Sequence, residues 1–253
     1  MGSSVKAVPL FNLMKIPKTI VQTFKDEESM NDDMLDAVTL WQKVNPTWEH
    51  SIYYDADCRA FLKENFNSDV LDAFNKIQPG AGKGDLFRYC YLYINGGVYA
   101  DVDTQCIVPL DDMLDLEQEF VSAVGFPYYG KYYDVHQTFI ACQPKHKILE
   151  IAIMLTVYNI IHEVVPMKCK YHCNYSPLLR VTGTKLLADA VNIFLNKPLN
   201  SPLELSDMFP FRTIAHTHRR PLVIDKDERV VINARYEGYD PGIYWIQQPL
   251  YDK

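Results

Sequence analysis

The sequence predicts an α/β protein built on a mostly parallel central sheet flanked by helices, and three observations carry this prediction. Strand-like runs alternate with segments of helical periodicity through the first half of the chain. No repeat, linker or low-complexity stretch interrupts them. The 253 residues, 48% of them hydrophobic, are enough for a sizeable core. We therefore expect one domain, residues 1–253, with parallel strands joined by helices.

The elements of the first half follow from apolar spacing and from capping residues. The β-branched run Ile16–Phe24 predicts a first strand, and Met30–Val44 carries apolar residues at helical spacing until Asn45-Pro46 ends the helix. Trp48–Tyr54 predicts a second strand. The remaining predicted elements are helices at Asp57–Asn65, Asp69–Ile77 and Asp85–Ile94, the last ended by Asn95-Gly96-Gly97, and a strand beginning at Val98.

The second half is less regular. Val121–Gly125 predicts a strand, and the YYGKYYD stretch predicts a mobile aromatic loop. Two helices are predicted at His146–His162 and Thr184–Leu195. The tail, Arg229–Tyr251, holds short strand-like runs broken by EGYDPG.

Charge and cysteine usage narrow the function classes. The formal net charge is −7 and the basic residues are scattered, which argues against a nucleic-acid partner. The six cysteines lack the paired spacings of a disulfide framework or a zinc site, so we expect reduced thiols. The longest apolar run, Ile148–Ile161, is too short to be an integral membrane segment. These observations indicate a cytoplasmic protein, unless the chain is a truncated form of a Golgi enzyme.

Two carboxylates stand two residues apart in the stretch GGVYADVDTQ. In a strand, Asp101 and Asp103 lie on the same face, opposite Val98, Ala100 and Val102. Open α/β sheets bind ligands at the carboxyl ends of their strands. Two close carboxylates repel unless a cation intervenes, and oxygen ligands suit Mg²⁺ or Mn²⁺. The Asp pair, as we call Asp101 and Asp103, therefore predicts a metal that bridges a diphosphate.

A second charged pair precedes it. Asp85 and Arg88 are spaced i and i+3, which places them on one helical face after a glycine-containing turn. Asp85 can accept a hydrogen bond from a sugar hydroxyl or a base, and Arg88 can neutralise phosphate or position Asp101. The alternative is an intrahelical ion pair on a solvated surface.

The segment AGKGDLFRYCYLYINGGVYADVDT resembles the signature of the DXD-motif glycosyltransferases of family 32, which include outer-chain α-mannosyltransferases and capsular polysaccharide-type sugar transferases. IPKTIVQTF, WEHSIYYDAD and TGTKLL resemble other segments of that family. The resemblance implies a GT-A fold, a divalent metal (Mn²⁺ or Mg²⁺) at the DXD motif, and a nucleotide-sugar donor, UDP-linked or GDP-mannose. It also implies transfer of a hexose to a carbohydrate acceptor with retention of configuration. Residues 1–110 would form the nucleotide-sugar half and residues 111–253 the acceptor side.

Carried over by position, Asp101 and Asp103 match the metal and diphosphate pair, and Asp85 and Arg88 match donor contacts. We expect Arg88 to act in catalysis with the Asp pair. Further expected donor contacts lie at or near strand ends: Gln22, Tyr54, Gly97 and Tyr99. The family's closing His and Ser-Trp are absent from RYEGYDPGIYW, so the third metal ligand is open. His218 is our candidate by residue type, with His216 as its neighbour, and Arg235, Tyr236 and Tyr239 are candidate diphosphate contacts.

Two alternatives use the same residues. The DVDT sequence also fits the opening of haloacid-dehalogenase-like phosphatases, in which Asp101 would be the nucleophile and Asp103 the general acid. About a hundred residues precede it, however, whereas that motif usually follows the first strand. A non-catalytic module that binds nucleotide-sugars is the other alternative. Four loop tyrosines are candidates for sugar stacking: Tyr128, Tyr129, Tyr132 and Tyr133.

Overall fold

A computed structural model describes residues 15–166, 176–206, 208–215, 221–234 and 250 of the chain. Strands and helical segments alternate along the described residues as far as Ala100, as the sequence predicts. The helices are α1 (Asp32–Val44), α2 (Asp55–Asn65), α3 (Ser68–Lys76), α4 (Gly80–Asn95), α5 (Leu110–Met113), α6 (Lys147–Ile161), α7 (Pro177–Val181) and α8 (Thr184–Phe194).

The strands of the described residues form a single nine-stranded sheet in the order β2-β1-β3-β6-β5-β7-β8-β9-β4. They are β1 (Thr19–Thr23), β2 (Glu49–Tyr53), β3 (Gly97–Ala100), β4 (Thr104–Cys106), β5 (Phe120–Val124), β6 (Val135–Cys142), β7 (Phe211–Ala215), β8 (Pro221–Ile224) and β9 (Val230–Ala234). Both halves of the chain therefore contribute strands to the same sheet.

Parallel pairing is concentrated at one end of the sheet. Strand β1 pairs in parallel with both β2 and β3, as expected for strands joined by helices. Strand β6 then runs antiparallel to β3 and to β5. Strands β5 and β7 are parallel, and the pairs from β7 to β4 are antiparallel. The predicted α/β class is confirmed, and the parallel character is strongest around β1.

The sheet curls back on itself at the Asp pair. Strands β3 and β4 lie at the third and the ninth positions of the sheet, yet only residues 101–103 connect them. Four residue steps span at most about 14 Å. The outer strand β4 must therefore lie near the carboxyl end of β3, and the connection between them carries both carboxylates.

The core is packed on both faces of the sheet, as alternation along β3 illustrates. Tyr99 packs with α4, α6 and α8 in the larger hydrophobic cluster. Val98 and Ala100 face the other side, where Trp41 of α1 is fully buried. The indole nitrogen of Trp41 donates to the carbonyl of Thr104 at 2.8 Å, which ties α1 to β4.

Several predicted boundaries are wrong. Helix α4 begins at Gly80, inside the QPGAGKG segment that we expected to be a turn, because glycines are tolerated where the helix packs closely. Strand β3 ends at Ala100, so Asp101 and Asp103 lie in a turn and not in a strand. Strand β6 was not predicted from the sequence.

The aromatic segment between β5 and β6 contains a tight turn. Tyr128 and Lys131 pair across it, and Tyr129 and Gly130 have φ values of 48° and 73°. Tyr129 is 89% exposed, whereas Tyr133 is buried. The loop therefore presents Tyr128 and Tyr129 to solvent and turns Tyr133 inward.

Among the described helices, none combines the length and the apolar content needed to span a membrane.

Candidate active site

The backbone of Asp101 is held from three directions. Its N–H donates to the carbonyl of Thr138 on β6 at 3.0 Å. Its carbonyl accepts from the Thr104 hydroxyl at 2.6 Å and from the Gln22 amide at 3.1 Å. Strands β1, β4 and β6 thus fix the turn that begins where β3 ends.

The carboxylate of Asp101 is bound on one oxygen. Its Oδ1 accepts from the Tyr99 hydroxyl at 2.9 Å and lies 3.1 Å from Nη1 of Arg88. The side chain keeps 25% of its surface exposed. One carboxylate edge is therefore oriented by the protein, and the group remains accessible to a ligand.

Arg88 is almost completely buried, with 4% of its surface exposed, and its guanidinium links several parts of the site. Nε donates to the carbonyl of Gly84 at 3.2 Å, and Nη1 donates to the carbonyl of Gln137 at 2.6 Å. Nη2 lies 3.1 Å from Oδ1 of Asp85. Its Cζ lies over the Tyr99 ring, 4.3 Å from the ring centroid. Burial lowers the pKa of Arg88, but Asp101 and the other acidic groups around it, which are Tyr99, Asp85 and Tyr89, together outweigh burial, so the pKa is raised.

Asp85 is 3% exposed and both of its oxygens have protein partners. The Gln137 amide donates to Oδ1, and the Thr182 hydroxyl donates to Oδ2 at 2.7 Å. Burial raises the pKa of Asp85 to about 6, while Arg88 and Thr182 oppose the shift. The solvated surface pair is therefore excluded for Asp85 and Arg88. In this arrangement Asp85 holds Arg88 in place. Asp85 could contact the donor, as predicted, only if its present hydrogen bonds were rearranged.

The residue between the two carboxylates anchors the turn. Val102 is buried in a small hydrophobic cluster with Met30 and Val38, against which Tyr54 packs. Asp103 is half-buried on the other side of this anchor. Tyr54, a predicted donor contact, thus lies near the Asp pair because it packs against the cluster that contains Val102.

Gln22 is fully buried and takes part in a polar relay that ends at Asp101. Its Oε1 lies 2.8 Å from Nε2 of His50, whose Nδ1 lies 3.2 Å from the Gln42 amide. Because Gln22 donates to the Asp101 carbonyl, its Oε1 is the acceptor, which places the His50 hydrogen on Nε2. Gln22 therefore supports the turn through the Asp101 carbonyl. Its expected contact with the nucleotide stays a prediction.

Gly97 is not brought to the Asp pair. It lies at the opposite end of β3, with φ of 92°, and a Cβ there would stand 2.1 Å from Oγ1 of Thr19. The close packing of this position against β1 explains why the residue is a glycine. The remaining candidates lie outside the described residues: His216, His218, Arg235, Tyr236 and Tyr239.

Sequence reasoning missed three polar residues of the site. Gln137 bridges Asp85 and the Tyr89 hydroxyl, and Thr182 closes the network from the loop between α7 and α8. His136 lies beside them, half-buried, with Nδ1 2.7 Å from the Thr138 hydroxyl. Burial lowers the pKa of His136 to about 4, opposed by Asp101 and reinforced by Arg88. The polar residues of the VHQT segment are visible in the sequence. Their position beside β3 is not, because it depends on the order of the strands in the sheet.

The chemistry of the Asp pair fits a hard divalent cation. Two carboxylates with a substrate diphosphate are a usual ligand set for Mg²⁺ or Mn²⁺. Within the described residues, no group of three or more His, Cys, Asp or Glu side chains is arranged to hold a metal. Additional ligands would have to come from the diphosphate, from water or from other parts of the chain.

The comparisons with known proteins agree with this geometry. Residues 31–121 match the family described as a glycosyltransferase sugar-binding region containing a DXD motif. This range runs from α1 to the start of β5 and includes Asp85, Arg88 and the Asp pair.

Two curated relatives illustrate the sequence similarity. An initiation-specific alpha-1,6-mannosyltransferase of Candida albicans is 33% identical over 103 residues, which are 39% of this chain and 27% of the relative. Inositol phosphoceramide mannosyltransferase 1 of Schizosaccharomyces pombe is 27% identical over 177 residues, which are 69% of this chain and 50% of the relative. The chain thus spans half or less of the length of these two proteins.

A solved structure supports the fold. The structure titled PaToxG glycosyltransferase superposes with a TM-score of 0.52 at 16% identity and covers 72% of this chain and 70% of that one. The predicted GT-A architecture is confirmed at this level.

Proposed function

We propose that the chain is a metal-dependent, retaining hexosyltransferase, on the premise that its residues 31–121 match the glycosyltransferase family whose sugar-binding region contains the DXD motif. The donor is a nucleotide-sugar, and the acceptor is a glycan, glycolipid or glycoprotein. Residues 1–110 bind the donor, and residues 111–253 provide the acceptor side.

One observation carries this proposal. The Asp pair follows β3 at the carboxyl end of the strand, with Arg88 held 3.1 Å from Asp101. Two acidic groups that can hold a cation thus stand next to a fixed guanidinium. This combination suits a diphosphate, which needs both a cation and a hydrogen-bond donor to neutralise its charge.

The names of the relatives favour mannose as the transferred sugar. The relatives described above are both named mannosyltransferases. GDP-mannose is therefore the first donor to test, with UDP-hexoses as the alternative.

The proposed chemistry assigns distinct tasks to the residues of the site. Asp101 and Asp103 hold the metal, which when bound neutralises charge on the leaving diphosphate. Arg88 is oriented by Asp85 and Gln137 and adds a fixed positive charge at the same place. Retention follows from front-face attack assisted by the leaving phosphate. A glycosyl adduct trapped on a carboxylate of the protein would contradict this mechanism.

The exposed tyrosines are proposed acceptor contacts. Strand β6 is antiparallel to β3, so its amino end lies near the carboxyl end of β3. The turn that leads into β6 carries Tyr128 and Tyr129, and aromatic faces stack well on sugar rings. Tyr132 and Tyr133 pack inward and support the turn.

The deciding experiment measures nucleotide release from a panel of GDP- and UDP-sugars, with Mn²⁺, with Mg²⁺ or with EDTA. We expect release from one donor, abolished by EDTA and reduced at least about a hundredfold in Asp103→Ala. Asp112→Ala is the matched control, because Asp112 is an exposed aspartate on α5 and not part of the DXD motif. Equal release with EDTA would contradict the proposed metal dependence.

The same panel separates the alternatives. Donor binding without any turnover would identify a non-catalytic nucleotide-sugar module. Release of phosphate from simple phosphoesters would identify a phosphatase.

A further inference from the structure

Gly84 is a helical glycine whose missing side chain has no packing explanation. It lies inside α4, where glycine destabilises a helix relative to alanine. At Gly82, a Cβ would stand 2.8 Å from Ile77 and 2.9 Å from Leu178, so tight packing requires glycine there. At Gly84 the nearest atoms to a Cβ would be 3.5 Å away, an ordinary contact. The fold therefore accepts a side chain at Gly84 but not at Gly82.

The space beside Gly84 is polar. A Cβ would meet Nη2 of Arg88 and Oγ1 of Thr23, each at 3.5 Å, and the hydroxyl of Tyr99 at 3.9 Å. We call this space the Gly84 recess. Gly84 and Thr23 are both half-buried, and Asp101 beside them is partly exposed. A ligand at the Asp pair can therefore reach the recess.

Arg88 has one hydrogen left for a ligand. A guanidinium carries five N–H donors. Among the described residues, four of them are directed to Gly84, Gln137, Asp101 and Asp85. The fifth belongs to Nη2, the nitrogen that borders the recess. This nitrogen can donate one hydrogen bond to an acceptor placed there.

Thr23 presents an acceptor to the same space. An ionised carboxylate can only accept a hydrogen bond. Tyr99 therefore donates to Asp101 at 2.9 Å. The contact of 3.2 Å between the hydroxyls of Thr23 and Tyr99 must then be donated by Thr23. The lone pairs of Thr23 remain to accept from a ligand.

A group that fills the recess must accept from Arg88 and donate to Thr23. A hydroxyl does both, whereas a phosphate oxygen only accepts and a methyl group does neither. We infer that Gly84 lacks a side chain so that a hydroxyl of the bound nucleotide-sugar can enter the Gly84 recess, which makes Gly84 a specificity-determining residue. This inference rests on the proposed function, because the donor supplies the hydroxyl. The hydroxyl belongs either to the ribose or to the transferred hexose.

The test compares wild type with Gly84→Ala, Gly84→Ser and the control Gly80→Ala, which changes an exposed glycine in the same helix. Calorimetry measures binding of GDP-mannose, UDP-glucose, GDP, UDP and the 2′-deoxy and 3′-deoxy nucleotides, each with Mn²⁺. We expect both Gly84 variants to bind the preferred donor at least about tenfold more weakly, since a side chain displaces the hydroxyl. Their melting temperatures should equal or exceed that of wild type, and Gly80→Ala should bind normally.

The ligands distinguish the source of the hydroxyl. If the free nucleoside diphosphate is also weakened, and one deoxy form already binds wild type weakly, the hydroxyl is that of the ribose. If only the intact nucleotide-sugar is weakened, it belongs to the hexose.

Two results would overturn the inference while metal-dependent transfer by wild type stands. One is unchanged donor affinity in Gly84→Ala. The other is a lower melting temperature in Gly84→Ala than in Gly80→Ala, which would show that the fold itself needs glycine. If wild type neither binds nor turns over any donor, the proposed function and the inference fail together.

Discussion

Arg88 is shared between a buried carboxylate and a partly exposed one. Burying a charge costs desolvation free energy that one ion pair rarely compensates. A buried guanidinium therefore needs several hydrogen bonds and ion pairs. Asp85 and two backbone carbonyls supply them, and Asp101 completes the set. The arrangement fixes the guanidinium plane before any ligand arrives, which lowers the reorganisation needed when the diphosphate leaves.

Removing the hydroxyl of Tyr99 would measure how much this preorganisation contributes to the site. Tyr99→Phe removes the hydrogen bond to Asp101, together with the weaker one from Thr23, and leaves the ring beside Arg88 in place. We expect the free energy of unfolding to fall by about 1 kcal/mol. We also expect Mn²⁺ to bind about tenfold more weakly, because the carboxylate loses an orienting partner. Denaturant unfolding and calorimetric Mn²⁺ titration measure the two effects.

Tyr91→Phe is the matched control for Tyr99→Phe. Tyr91 is buried in the same region, and its hydroxyl makes no hydrogen bond with the described residues. Equal Mn²⁺ affinity in all three proteins would show that Tyr99 does not orient Asp101.

At the scale of elements, α6 begins with a histidine that acts as a neutral cap. Nδ1 of His146 accepts from the N–H of Ile148, and its ring lies between Phe120 and Phe194. Burial lowers the pKa of His146, and Glu119 partly opposes the shift. A protonated imidazole cannot accept this hydrogen bond, and its charge would be repelled by the positive helix N-terminus.

The sign of the pH effect follows from this depressed pKa. In the unfolded chain His146 takes up a proton near its usual pKa of about 6.5, whereas in the folded chain it is protonated only at a lower pH. The contribution of His146 to stability is therefore present above about pH 6.5 and is lost as the pH falls toward the folded pKa. The slope contributed by one proton reaches at most about 1.4 kcal/mol per pH unit.

His146→Asn should flatten this pH dependence, because asparagine caps a helix without titrating. Urea unfolding between about pH 5 and pH 7.5 measures the slope. His162→Asn, at the exposed opposite end of α6, is the control and should retain the wild-type slope. His50 and His136, whose pKa values are also lowered by burial, should leave a residual slope in both variants. A wild-type slope in His146→Asn would contradict the assignment.

At the scale of the whole molecule, four of the six cysteines are buried on different elements: Cys58, Cys90, Cys106 and Cys142. Burial raises the pKa of each thiol, that of Cys106 to about 11. These four thiols are neutral and inaccessible in the folded chain.

Thiol labelling should therefore report global unfolding. In a variant with Cys169 and Cys173 replaced by Ser, we expect the four remaining thiols to react at least about a hundredfold more slowly than in urea. The variant in urea is the control for intrinsic reactivity, and labelling followed by mass spectrometry measures each site. Fast labelling of any one of the four would show that its element opens separately.

The sequence predicted what is local and missed what depends on sheet order. Apolar spacing located α1 and α6, and the Asp pair was identified because its neighbours in the chain are informative. Gln137 and Thr182 were missed because they reach Asp85 across 52 and 97 residues, which no local pattern encodes. The start of α4 was placed late because three glycines suggest a turn, whereas Gly82 allows the close approach of α7.

The short connection between β3 and β4 gives the curled sheet a mechanical property. Because residues 101–103 are the covalent link between its third and ninth strands, they act as a clasp. Breathing of the outer strands β9 and β4 relative to β3 must rotate or stretch this clasp, and so it changes the spacing of the two carboxylates. A cation held between them would resist that change, so metal binding would stiffen the edge of the sheet formed by β9 and β4.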